Sequence, residues 1–170
     1  MQRAIKAGVT TIEHGSLMDK ETASLMKEFG TYLVPTLSAG RYVAEKAKVE
    51  GYYPEIIIPK ILMIDAEIRE TFAMVYKEGV NIAFGTDAGV FPHGENAKEF
   101  RYMVETGWSE MFSIQSATIT NAKILDMENE LGQLASGFLA DIVAVEEDPT
   151  QNIRTMENVV FVMKEGTVYK

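Results

Sequence analysis

The chain has 170 residues, 46% of them hydrophobic and 24% charged, with two histidines, no cysteine and a net charge of −9. That length supports a real core, while the missing cysteines exclude disulfides and thiolate metal sites. The acidic balance, with no Lys/Arg run, argues against a nucleic-acid or anionic-membrane partner, and the most apolar stretch, residues 56–64, is broken by Pro59 and Lys60 and too short to cross a bilayer.

Residues 1–8 read as the last turns of a helix running into Gly8, with no signal-peptide core. A cytoplasmic location is expected, and a chain that begins inside a helix is expected to lack what comes before. A β-rich run then ends in Glu13-His14-Gly15. Asp19-Lys20-Glu21 opens a helix with Leu25, Met26 and Phe29 at helical spacing and Gly30 as its cap. Residues 32–37 read as a buried strand with Pro35 at its outgoing end. The following stretch to Pro54 reads as a loop with a short helix over residues 43–49. Its Tyr42, Tyr52 and Tyr53 would either line an active-site mouth or simply pack. Pro59 suits the first turn of a long helix with Leu62, Ile64, Ile68, Phe72 and Val75 on its apolar side and Gly79 at its end.

A strand over residues 81–84 runs into Gly85-Thr86-Asp87-Ala88-Gly89. Two helices are expected next, one through Phe100, Met103 and Val104 to Gly107, and one over residues 109–125. The pattern then changes. Residues 131–134, 139–145 and 159–163 read as strands, and Lys164-Glu165-Gly166-Thr167 as a hairpin turn. Two regions are therefore expected, 1–127 and 128–170.

The chemistry gathers at two strand ends, which carry His14 and Asp87. Each strand follows a helix-ending glycine and is closed by another, and parallel α/β proteins place their sites where such ends converge. Three parallel strands are expected, near residues 10–12, 33–35 and 82–84, in βα units of about 30 residues, close to those of an eight-stranded barrel. His14 reads either as a metal ligand or as a satisfied core histidine. Asp87 reads either as a catalytic carboxylate or as a turn or cap residue. His93 is either a solvated loop residue or a substrate contact.

The segments AIKAGVTTIEHG, TYLVPTL, NIAFGTDAG, HGENAKEFRYMVETGWS, SATITNAKIL and LGQLASGFLADIVAVEEDP occur in this order. Together they resemble the amidohydrolase superfamily, in the branch of imidazolonepropionase-like and metal-dependent prolidase-like enzymes. The resemblance implies an α/β fold: part of a (β/α)₈ barrel, strands 6–8 with their helices, followed by a small antiparallel β unit of a composite β-sandwich. It implies zinc or another divalent metal held by His14 on strand 6 and Asp87 on strand 8. It also implies Asp87 as the catalytic proton acceptor and His93 as a substrate-binding residue. The H-x-H of strand 1, the lysine of strand 4 and the histidine of strand 5 have no counterpart, so the chain resembles the C-terminal portion of such an enzyme. Two functions follow. One is a metal-dependent hydrolase of C–N bonds in amide, peptide or cyclic-amide substrates, acting on a small molecule or short peptide. The other is a non-catalytic fragment that self-assembles as a homo-oligomer or complements a separate N-terminal half.

Overall fold

The chain enters on a short helix, α1 (Gln2–Lys6), whose Ile5 is fully buried. The computed structural model describes residues 1–170, and the chain falls into two units, 1–99 and 100–170. In the first, β1 (Thr11–Glu13) is followed by α2 (Lys20–Phe29) and β2 (Tyr32–Val34). The Asp19 carboxylate accepts the Thr22 N–H at 2.8 Å, and Gly30 closes α2 at φ +68°. Strands β1 and β2 pair in parallel with Ile12 opposite Leu33, the arrangement a βαβ crossover produces. Helix α3 (Leu37–Lys46) follows β2 directly, and α4 (Ile58–Glu78) starts with a proline in its first turn and ends at Gly79 in the left-handed region. Met26, Leu33, Phe72, Val75 and Ile82 are at most 2% exposed and make the core of this unit.

The boundary between the units falls inside α5 (Lys98–Glu105). In the second unit, α6 (Glu110–Gln115) is capped by Ser109 and passes through a π-helical stretch, Ser116–Thr120, into α7 (Asn121–Ile124). A three-stranded antiparallel sheet follows: β3 (Ile142–Ala144), β4 (Phe161–Lys164) and β5 (Thr167–Val168), in that spatial order. Lys164 pairs with Thr167 across Glu165 at φ +50° and Gly166 at φ +78°, as a tight two-residue hairpin requires. Asp141 ties this turn down by accepting from Lys164 Nζ at 2.7 Å and the Glu165 N–H at 2.8 Å.

The fold is thus mixed α/β, parallel βα units first and antiparallel β last. Several expected elements differ. The third parallel strand shrinks to one bridge, Leu33 to Ile82. It is held by the Leu33 N–H on the Asn81 carbonyl at 2.8 Å and the Ala83 N–H on the Leu33 carbonyl at 2.9 Å. Residues 131–134 are not a strand, because Gly132 lies at φ +86° and the Leu131 N–H bonds back to the Met127 carbonyl. The helix expected over residues 43–49 starts six residues earlier, directly behind β2, at Leu37. No helix is long and apolar enough to cross a membrane.

Candidate active site

Three residues at the ends of the parallel strands leave the ordinary backbone regions. His14 lies at φ +65°, Thr36 at +51° and Asp87 at +55°. Left-handed backbone is unusual for any residue with a Cβ and more so for a β-branched threonine. Each such residue costs on the order of 1–3 kcal/mol, and such strain concentrates at functional sites. Packing around these turns is tight. A Cβ on Gly15 would stand 2.6 Å from Leu33 Cδ1, and one on Gly85 would run into Val34 Cγ1. Glycine is what lets the two turns lie against β2.

These turns bring the two chemical side chains together. His14 Nε2 lies 3.9 Å from Asp87 Oδ2, both side chains about half exposed. The other ring nitrogen, Nδ1, is 2.6 Å from Thr36 Oγ1. That hydroxyl donates its only proton to the Pro35 carbonyl at 2.7 Å. With the hydroxyl proton on that carbonyl, the imidazole is the donor at Nδ1, and in the neutral ring Nε2 keeps its lone pair on the Asp87 side.

His14 and Asp87 open onto a cleft of about 290 Å³. Its walls are mostly apolar, with Leu37 and Val43 from α3 and Ile61, Ile64, Ile68 and Phe72 from α4. Asp65, also on the wall, is paired with Arg69 at 3.4 Å. The loop beyond Asp87 is tied by Asn96, whose amide donates to Thr86 Oγ1 at 3.1 Å and whose carbonyl accepts the Gly94 N–H at 3.3 Å. His93 is exposed on that loop and is not part of the cleft wall. Nor are Tyr42, Tyr52 and Tyr53. Lys46 Nζ sits 5.1 Å from the Tyr42 ring centre and 5.4 Å from that of Tyr52, and Tyr52 packs edge-on against Tyr53.

Two residues of this neighbourhood escaped the sequence reading, Thr36 and Glu99. Glu99 has no exposed surface, and its carboxylate accepts the N–H of Leu37 at 2.8 Å and of Ser38 at 2.7 Å. Burial pushes its carboxyl up to about 7, against the opposing pull of the hydrogen bonds from Ser38 and Leu37. The available signal was a carboxylate on the apolar face of a helix, one turn before Met103.

Residues 1–169 match the Amidohydrolase family. The chain belongs to that family. Ochratoxinase of Aspergillus niger is 34% identical over 173 residues, which is 98% of this chain and 35% of the relative. The chain thus spans about a third of the length of that curated relative. Among solved structures, a Xaa-Pro dipeptidase with methionine bound in its active site superposes with a TM-score of 0.94 at 53% identity, covering 99% of this chain and 42% of that one. A prolidase complexed with N-methylphosphonate-L-proline gives 0.86 at 32% identity, over 100% and 43% of the two chains.

The amidohydrolase family is generally metal-dependent. Two ligands on a tetrahedral zinc, each about 2.0–2.2 Å from the ion, stand about 3.4 Å apart. The 3.9 Å between Nε2 and Oδ2 is near that value and beyond hydrogen-bond length, and the free lone pair on Nε2 suits a ligand. The pair fits one side of a metal site. It is not a whole one, since no group of three metal-capable side chains is present and catalytic zinc takes three protein ligands.

Proposed function

We propose that this chain supplies one side of a divalent-metal site, zinc foremost, that hydrolyses C–N bonds in amide, peptide or cyclic-amide substrates. The observation that carries this is the approach of His14 and Asp87 to 3.9 Å beside an apolar cleft. His14 Nε2 and Asp87 Oδ2 would hold the ion, which when bound supplies a Lewis acid and lowers the pKa of the attacking water. Asp87 would accept a proton from the attacking water and return it to the leaving nitrogen. Leu37, Val43, Ile61 and Ile64 exclude solvent and receive the apolar part of the substrate. His93, exposed on the loop beyond Asp87, would meet the outer end of the substrate. β1, β2 and the Ile82 segment are assigned to strands 6, 7 and 8 of a barrel, and the remaining ligands come from residues outside these 170. The ochratoxinase and the Xaa-Pro dipeptidase support a small amide or a short peptide as substrate.

The presence of only two ligands favours a second reading. In it the chain is a non-catalytic piece that assembles with itself or with a partner carrying the other ligands. Equilibrium dialysis with zinc, followed by hydrolysis of Xaa-Pro dipeptides, separates the two. The expected result is zinc binding weakened at least about tenfold by His14→Ala or Asp87→Asn, and, in the protein that carries the remaining ligands as well, hydrolysis abolished by Asp87→Asn. Zinc uptake indifferent to both substitutions would remove the metal site. Site-specific zinc uptake without hydrolysis, in a self-associated chain, would favour the second reading.

A further inference from the structure

Helix α3 begins in an unusual way. Its cap residue is Thr36, a type that ordinarily turns its hydroxyl back to accept an N–H from the first turn of the helix. Here Thr36 makes no such bond. Its hydroxyl donates to the Pro35 carbonyl and meets His14 Nδ1 instead. The first-turn donors still need acceptors, because a buried N–H without one costs about 1–3 kcal/mol. Glu99 supplies them. Its two carboxylate oxygens take one donor each, Leu37 N–H and Ser38 N–H. Glu99 comes from 61 or 62 residues further along the chain, and a negative charge is favoured at that helix end.

The two assignments depend on one another. Were the α3 donors left unpaired, the first turn of the helix would no longer be fixed, Thr36 would shift with it, and His14 would lose its partner at Nδ1. We propose that Glu99 is a positioning residue for His14: by capping α3 it fixes the turn at Thr36, whose hydroxyl holds the imidazole with Nε2 directed at Asp87. Glu99 does not itself line the cleft or meet the reacting atoms; it holds the backbone N–H groups of Leu37 and Ser38, and its effect on His14 passes through the Thr36 turn. The role rests on the metal-site reading of His14 and Asp87. Groups that orient a metal-binding histidine through its second nitrogen commonly alter metal affinity by 10–100-fold.

The test is nitrogen-15 NMR of the two histidine side chains in the metal-free chain, with exposed His93 as the internal reference. Wild-type His14 is expected as the Nδ1–H tautomer and distinct from His93. Glu99→Gln keeps the volume but replaces one acceptor oxygen with an NH₂ group. It is expected to shift His14 towards the tautomer mixture of His93 and to weaken zinc binding about tenfold or more. Thr36→Val should do the same, Thr36→Ser should restore the wild-type spectrum, and Glu99→Gln added to Thr36→Val should change nothing further at His14. A Glu99→Gln protein with a lower Tm but unaltered His14 nitrogens would overturn the proposal and leave Glu99 a structural cap. An Nε2–H tautomer in the wild type would overturn it as well, whether or not any variant folds. Failure of the metal-site reading looks different: the tautomer responds as stated while zinc binds without regard to His14 or Asp87.

Discussion

Glu99 has no exposed surface and a carboxyl raised to about 7, chiefly by burial, so its protonation is linked to folding. In the unfolded chain the group ionises near 4.5. Between 4.5 and about 7 the folded state holds a proton that the unfolded state has released, so stability falls as pH rises. The contribution is complete below 4.5 and lost as pH passes through about 7. Asp19, Asp141 and Asp148 work in the opposite sense. Their carboxyls are lowered, by hydrogen bonds from Thr22, Lys164 and Thr150 respectively, and the stability they lend is lost as pH falls. They are common to wild type and Glu99→Gln and cancel in the difference. Urea unfolding across a pH series should therefore show the stability of wild type relative to Glu99→Gln declining from pH 4.5 to about 7 and level above. A level difference throughout would mean that the buried carboxyl ionises as it does in water.

Two glycines test how closely the elements are packed. Gly132 lies at φ +86°, and a Cβ there would stand 2.9 Å from the carbonyl carbon and oxygen of Thr118, within the π-helical stretch. Backbone atoms cannot swing aside as a side chain can, and the left-handed conformation adds its own cost. Gly132→Ala should destabilise the chain by about 1–3 kcal/mol, the usual range for overpacking, read as a lower urea midpoint at unchanged slope. An unchanged midpoint would mean that the turn moves freely off the helix. Gly85→Ala meets the Val34 side chain at the end of β2, two residues before Asp87. It should weaken zinc binding as well as stability, because the Asp87 turn must lift for the new methyl group to fit. Loss of stability with zinc affinity intact would show that the turn absorbs the methyl without displacing Asp87.

At the scale of the whole chain, the parallel sheet is only two strands and a bridge. The far side of β1 has no neighbouring strand, and an open edge invites pairing with another chain. Large apolar side chains also face solvent, Ile56 at 87% and Leu134 at 81% exposure. Burial of such surface is worth roughly 25 cal/mol per Å², and two-fold assembly is the commonest way to achieve it. Light scattering is expected to report a dimer or larger species. A monomer of 18.9 kDa that persists on dilution would show that these edges stay solvated without association.

Features written within a few residues were legible from the amino-acid order. Gly30 and Gly79 end helices where the periodicity stops, Pro59 opens α4, and Glu165-Gly166 makes the hairpin turn. His14 and Asp87 could be singled out because each closes a short β-rich run between glycines, and such punctuation is local chemistry. Their approach to 3.9 Å was an expectation that needed strands to lie side by side. Non-local pairing settled the rest. Residues 81–84 have strand-like composition but find only one bridging partner in Leu33, and residues 131–134 find none. Thr36 and Glu99 lie within two of the segments that carry the family resemblance, but nothing in those segments assigns either a role. A threonine after a strand and a glutamate in a helix are ordinary residues until packing buries the carboxylate against the start of α3 and turns the hydroxyl to His14. Burial and hydrogen-bond partnership belong to contacts some 60 residues apart, and no short stretch of sequence encodes them.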